Sequence, residues 1–295
     1  MFKQIVAGID ERYDGADAVA LARRLLTPDG ELTLAHIAVG SAHGYRGADS
    51  PAVAEDRDRA RELLEQAAER AQLQPRLRWR SSESVGRGLH ELCETVGADL
   101  LVVGSSRHGL LGRVLLGDDT QGSFDGAPCA VAIAPAGYAN EAVAMREIGV
   151  GYDGSPESEH ALRLARSLAA QAGATVSAFQ VVSLAATTVG PGTLPLSDAV
   201  DPLLDQARER IAALGGVEPH ASYGRPSEEL AIYSASLDLL IVGSRGYGPL
   251  GRLLHGSTSR ALARLARCPL LVLTRAARAA ESVQRAEEFA PPVTV

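Results

Sequence analysis

The chain repeats itself, and this repeat limits its possible folds more than any other feature. Val6-Ala-Gly-Ile-Asp10 matches Gly149-Val-Gly-Tyr-Asp153, and Ala18, Leu21, Ala22 and Leu25 fall on Ala161, Leu164, Ala165 and Leu168. Farther on, Ala98–Ser105 matches Leu237–Ser244, Leu111–Gly117 matches Leu250–Gly256, and Cys129 falls on Cys268. The spacing is 143 early in each copy and 139 late, so a few residues of insertion or deletion lie between. With 295 residues, two copies have the length of two ordinary domains. The boundary falls near Gly137–Arg146, a polar stretch of small residues. The predicted domains are 1–139 and 145–276, followed by a tail, 277–295, that is charged and then proline-rich.

Each copy reads as alternating strands and helices. In the second, Glu147–Asp153 is a short apolar strand, and Glu157–Gln171 has helical periodicity behind Ser155 as cap and Pro156 in the first turn. Thr175–Ser183 is a β-branched strand, Asp198–Leu214 an amphipathic helix, and Val217–Tyr223 a weaker strand. Ser227–Ser236 is helix, Leu237–Val242 a continuous apolar strand, Gly256–Arg267 helix and Pro269–Leu273 a final strand. Strands buried on both faces and alternating with helices predict a doubly wound parallel sheet in each copy, with right-handed crossovers. Such sheets bind ligands beyond the carboxyl ends of their strands, where the strand order reverses. Asp153, Val181 to Ser183 and Gly243 all sit at predicted carboxyl ends.

Composition excludes several classes. A net charge of −7 argues against a general nucleic-acid binder, though loop amides bind anions whatever the net charge. Apolar runs such as Leu237–Val242 are far too short to span a bilayer, and no segment is ordered like a signal peptide, so a soluble, cytoplasmic protein is expected. The three cysteines, Cys93, Cys129 and Cys268, form no CxxC pair, which argues against a disulfide framework or a zinc site. Aromatics make up only 4% of the chain, so the cores must be built from Ala, Leu and Val.

The segment Val242–Ser259 concentrates the glycines and hydroxyls of a phosphate loop. Gly246-Tyr-Gly248-Pro-Leu-Gly251 fits the dinucleotide pattern GxGxxG, but it follows the fourth strand of its copy and no acidic residue for a ribose lies about 20 positions on. Gly251-Arg-Leu-Leu-His-Gly256-Ser-Thr258 nearly fits a P-loop, but Ser257 takes the lysine position and Lys3 is the only lysine in the chain. A third pattern fits without exceptions. Gly243-x-x-Gly246, nine residues, then Gly256-Ser257 resembles the ATP-binding signature of the universal stress protein family, and Asp153-Gly-Ser-Pro156 resembles that family's opening motif. The resemblance covers residues 2–135 and 147–274.

It implies two Rossmann-like domains of the adenine-nucleotide alpha-hydrolase type, an adenine nucleotide (ATP, with Mg as its companion) and a stress-response role. It would set Asp153 near the adenosine, Val181 and Val242 near the base, and Gly243, Arg245, Gly246, Gly256, Ser257, Thr258 and Ser259 around the phosphates, with Gly151 and Tyr152 also counted among the nucleotide-binding residues. The physics agrees. Glycines permit close backbone approach, and Gly256 opens a helix whose free amides and dipole favour anions. Arg245 and Arg252 offer charge, although Arg252 fits a solvated face equally well. For Asp153 the competing reading is a cap for the helix at Ser155–Pro156.

The first copy departs from the pattern. It keeps Asp10, Ile37, Gly104 and Gly117 at matching places, but Arg107 replaces the second glycine, and Asp118 and Asp119 replace Ser257 and Thr258. Two carboxylates at a helix start satisfy the dipole themselves and repel a triphosphate, so weak or no ATP binding is expected there. Two alternatives survive: Arg107 reaching back to a phosphate, or the aspartates holding a bridging metal. His108 reads as an exposed loop residue. For function, an ATP-binding regulator stands beside a slow ATPase or autophosphorylating protein, with Ser257, Thr258 or Ser259 as phosphoacceptors, a nucleotide-free protein-interaction scaffold, and a binder of AMP or a cyclic nucleotide. Nothing reads as an efficient catalytic centre. The last strand of each copy, Ala130–Ala134 and Pro269–Leu273, is an edge that needs covering. In the family this strand pairs two domains, so an intrachain pseudo-dimer is expected, with homodimerisation of the whole chain also compatible. Leu184–Ser197 and its counterpart Ser41–Pro51 read as nucleotide covers or plain connectors alike.

Overall fold

The computed structural model describes residues 1–11, 15–39, 51–105, 118–140, 144–183, 196–244 and 257–273. The first half runs β1 (Phe2–Gly8), α1 (Ala16–Leu25), β2 (Leu26–Val39), α2 (Pro51–Arg70), β3 (Arg76–Ser82), α3 (Val85–Val96), β4 (Leu100–Gly104), α4 (Asp118–Phe124) and β5 (Ala130–Ala134). The second half repeats the order with β6 (Glu147–Gly151), α5 (Pro156–Ala172), β7 (Thr175–Val182), α6 (Leu196–Ala212), β8 (Glu218–Tyr223), α7 (Pro226–Tyr233), β9 (Leu239–Gly243), α8 (Ser257–Leu265) and β10 (Leu270–Leu273). The expected elements of the second copy are all present, with ends shifted by one or two residues. The expected helix Ser227–Ser236 finishes as a 3-10 turn over Ser234–Ser236.

The ten strands form one sheet in the order β3-β2-β1-β4-β5-β10-β9-β6-β7-β8. Every neighbouring pair is parallel except β5 with β10, which is antiparallel. The edge strand of one half is therefore covered by the edge strand of the other, which removes two exposed ladders. Helices α1, α2, α5 and α6 pack on one face through Leu21, Leu25, Leu64, Leu168 and Ile211. Helices α3, α4, α7 and α8 pack on the other through Leu89, Phe124, Leu230 and Leu262. Strand residues alternate between the two clusters: Leu100 and Val102 belong to the first, Leu101 and Val103 to the second.

Local chemistry sets the helix ends. Ser155 caps α5, its Oγ accepting the amide of Ser158 at 3.3 Å, with Pro156 opening the helix and Gly173 closing it. By contrast, α1 starts at Gly15 with no side-chain cap. In each half an aspartate just ahead of the second central strand pins the start of the first. Asp99 accepts the amides of Lys3 (2.7 Å) and Gln4 (3.1 Å), and Asp238 those of Arg146 (2.7 Å) and Glu147 (2.9 Å). Burial raises the Asp99 carboxyl above its ordinary range, against the opposing pull of the two amides. The connection between the halves is fastened to α1. Asp17 accepts the amides of Gly137 (2.9 Å) and Ala139 (2.8 Å), and the Arg24 guanidinium donates to the Tyr138 hydroxyl at 2.6 Å while lying 4.7 Å from that ring's centre.

Under β7 and α7, Tyr233 stacks on Phe179 with ring centroids 4.5 Å apart and its hydroxyl contacts Ser177. Burial pushes the Tyr233 phenol up to about 12, and burial also raises the Cys268 thiol. A phenol that ionises later in the fold than in the unfolded chain stabilises the fold below pH about 10, and that contribution is lost as pH rises through about 12. Tyr233→Phe is therefore expected to flatten the fall of stability with pH between about 10 and 12 while costing about 1 kcal/mol at neutral pH for the lost hydrogen bond. Urea unfolding at stepped pH reads both. An unchanged alkaline slope would remove the assignment.

Candidate functional site

In the second half the strand order reverses between β9 and β6, and the expected residues converge there. Gly151 pairs with Val242 on one side and with Phe179 on the other. Asp153 lies two residues past the end of β6, Gly243 ends β9, and Val181 lies near the end of β7. Together Gly151, Asp153, Val181, Val242 and Gly243 form the rim of a crevice at the carboxyl edge of the sheet, the place where this fold class binds ligands.

The rim has a built turn. The Asp153 side chain accepts the Ser155 amide at 3.0 Å, Gly154 takes a left-handed φ of +75°, and Ser155 then caps α5. The amide of Asp153 lies 3.4 Å from Ser158 Oγ, which donates to the Ser155 carbonyl at 2.9 Å. Both readings of Asp153 thus hold a part of the answer: its carboxylate shapes the turn, but Ser155 is the cap, and Asp153 itself stays exposed at the mouth. Gly243 is held by close approach. A Cβ there would stand 2.6 Å from the Cβ of Glu157 and 2.9 Å from its backbone carbon and oxygen. The first turn of α5 therefore closes directly over the end of β9, and Glu157 is a rim residue that the sequence reading did not pick out.

Other expected members fall differently. Tyr152 is buried, with its ring in the core cluster on the α5 face and its amide bonded to the Phe179 carbonyl at 3.0 Å, so it contributes backbone to the rim rather than a side chain. Helix α8 begins at Ser257, one residue after Gly256, as the glycine-to-helix reading requires. Thr258 is half-buried and Ser259 buried, which makes Ser259 a poor phosphoacceptor. Arg245, Gly246 and Gly256 lie outside the described residues, as do Arg252, most of the expected cover 184–197, and the tail beyond Leu273.

The first half builds a related crevice from other side chains. Asp10, Ile37 and Gly104 stand at the ends of β1, β2 and β4, and α4 begins at Asp118. Arg107, His108, Gly117 and residues 40–50 lie outside the described residues. A cavity of about 70 Å³ is lined by Asp10, His36, Ile37, Leu89, Val103 and Ser123, among others. The strand registers set Ala35 where the second half has Phe179, and His36 where it has Gln180. Buried His36 places Nδ1 3.0 Å from the Ile9 carbonyl, so Nδ1 carries the proton there. The two halves thus differ at the sheet as well as in their loops, and no loop motif signalled it. Among the described residues, no group of three His, Cys, Asp or Glu side chains is arranged to hold a metal ion, and no helix is long and apolar enough to cross a membrane.

Comparison with known proteins bears on this geometry. The sequence profile of the Universal stress protein family matches residues 1–135 and again residues 145–274. A universal stress protein of Mycobacterium tuberculosis strain H37Rv is 33% identical over 185 residues, covering 59% of this chain and 61% of its own length. A second from the same strain is 26% identical over 211 residues, covering 66% of this chain and 70% of its own. In three dimensions, a universal stress protein from Archaeoglobus fulgidus superposes with a TM-score of 0.66 over 92% of this chain and 98% of its own, at 18% identity. A Pseudomonas aeruginosa protein described as a putative universal stress protein does so with a TM-score of 0.57 over 96% and 98%, at 17% identity. At those identities the structural matches speak to the fold alone.

Proposed function

Because the chain belongs to the universal stress protein family, both of its halves matching that family's profile, we propose that it is a cytoplasmic stress-response regulator whose second half binds ATP. The observation that carries this reading is the convergence of Gly151, Asp153, Val181, Val242 and Gly243 at the β9–β6 reversal, on the carboxyl edge of the sheet. The fit to an adenine nucleotide rests on three features. Exposed Asp153 offers a carboxylate acceptor to a ribose hydroxyl or an exocyclic amine. Half-buried Val181 offers apolar surface to a base, backed by buried Val242. Gly243, already against Glu157, has no room for a side chain at the end of β9, and the amides at the start of α8 favour phosphate.

The decisive measurement is native mass spectrometry of freshly purified protein. One ATP per chain is the expected result, and nucleotide-stripped protein should gain thermal stability on adding Mg-ATP. Protein that carries no ATP and shows no such shift would sink the proposal. Asp153→Ala is expected to weaken ATP binding about tenfold, ~1.4 kcal/mol, because it removes the acceptor and loosens the turn that Ser155 closes. Titration calorimetry reads that change. Unaltered affinity would confine Asp153 to shaping the turn.

A further inference from the structure

Side chains cross between the halves on the α4–α8 face. One guanidinium nitrogen of Arg260 lies 3.1 Å from both carboxylate oxygens of Asp125, and Arg264 donates to Gln121 Oε1 at 2.7 Å. At the spacing that sets Cys129 on Cys268, Gln121 is the counterpart of Arg260 and Asp125 the counterpart of Arg264. The two contacts are therefore one contact seen twice, related by an approximate two-fold axis. The strands locate the same axis independently. Ala132 faces its own counterpart Leu271, while Leu270↔Ile133 and Val272↔Val131 exchange across them.

The backbone obeys the two-fold and the chemistry does not. At the helices the second half brings two arginines, and the first half brings Gln121 and Asp125. At the axis the first half brings Ala132 and the second Leu271, both fully buried and both on the α1–α5 face of the sheet. Directly opposed side chains across antiparallel strands are close neighbours, so a small residue against a large one fills that space once. Two second halves joined this way would oppose Arg260 to Arg264 on both sides and set Leu271 against Leu271. Two first halves would lack the ion pair and leave Ala132 against Ala132.

We infer that this seam is heterotypic: it accepts a face carrying Asp125 and Ala132 against a face carrying Arg260, Arg264 and Leu271, and it rejects either face paired with its own kind. The partner that fits the second half here is a first half, either its own or one exchanged from a second copy of this chain. A partly exposed ion pair adds little stability. Like-charge opposition in the wrong pairing nevertheless discriminates between partners. The inference uses no ligand and stands apart from the nucleotide assignment.

A protease site inserted after Asn140, an exposed linker residue, lets the folded full-length protein be cleaved in place. Cleaved protein of natural and heavy isotope composition is then mixed and examined by native mass spectrometry. Every pair is expected to hold one first and one second fragment; pairs of two second fragments would overturn the inference. In the uncleaved chain, Asp125→Arg is expected to lower Tm by several degrees, and adding Arg260→Asp should recover most of that fall. A double variant no more stable than the two single changes sum to would also overturn it. Gln121→Arg with Asp125→Arg and Ala132→Leu gives both halves the same face, and its fragments are expected to separate on cleavage. Should that triple variant not fold, the unsubstituted cleaved protein and the charge-reversed pair still decide.

Discussion

Glutamate at position 256 is expected to strip the protein of ATP. Affinity should fall about a hundredfold or more, ~2.7 kcal/mol, as read by titration calorimetry on nucleotide-stripped Gly256→Glu protein. Helix α8 starts at Ser257, so residue 256 abuts the free amides that attract an anion. On the proposed ATP reading, a side chain there would take the room of the phosphate, and its carboxylate would satisfy the helix dipole in the phosphate's place. The first half keeps the glycine as Gly117 but carries acid one and two positions on: α4 begins with Asp118 and Asp119, where the second half has Ser257 and Thr258. The reverse change, Arg107→Gly with Asp118→Ser and Asp119→Thr, should raise ATP uptake above one per chain. Survival of full affinity in Gly256→Glu would show that the site has been placed on the wrong loop.

A larger effect on stability is expected from one added carbon at the α3–α4 contact. A Cβ on Gly86 would overlap the backbone carbonyl of Gly122 and stand 2.8 Å from the amide of Ser123. Backbone cannot swing aside as a side-chain end does, so Gly86→Ala is expected to cost about 3 kcal/mol, or roughly 6–12 °C in Tm. The mirror-image change behaves oppositely. A Cβ on Gly122 would lie 3.8 Å from the Gly86 Cα, an ordinary contact, so Gly122→Ala is expected to be neutral or to gain about 0.5–1 kcal/mol from helix propensity. Scanning calorimetry on the two variants checks the sign as well as the size. Equal effects would mean the helices adjust freely.

Much of this architecture is legible in the residues because period and punctuation agree. The apolar run at Leu239–Gly243 and the capped start at Ser155–Pro156 leave little freedom to their segments, and the repeat doubles each signal. Strand register is less legible. That Ala132 faces Leu271 depends on two segments 139 residues apart meeting antiparallel, and neither segment alone encodes the other's position. The paired clamps of Asp99 and Asp238 were equally hidden, because an aspartate ahead of an apolar strand reads as a simple boundary. At the crevice, Asp153 and Gly243 stood out by residue type. Glu157 and His36 did not, since their places depend on how closely a helix turn and a neighbouring strand approach. The substitution of Phe179 by Ala35 was visible in the sequence but had no meaning until the strand registers brought the two into the same place.

The antiparallel seam also decides which way each half opens. Within a half all strands run one way, so reversing direction between β5 and β10 turns the two crevices toward opposite rims of the molecule. Five strand steps of about 4.8 Å separate β1 from β6, roughly 24 Å along the sheet. The two sites therefore lie on opposite rims of one continuous sheet rather than side by side.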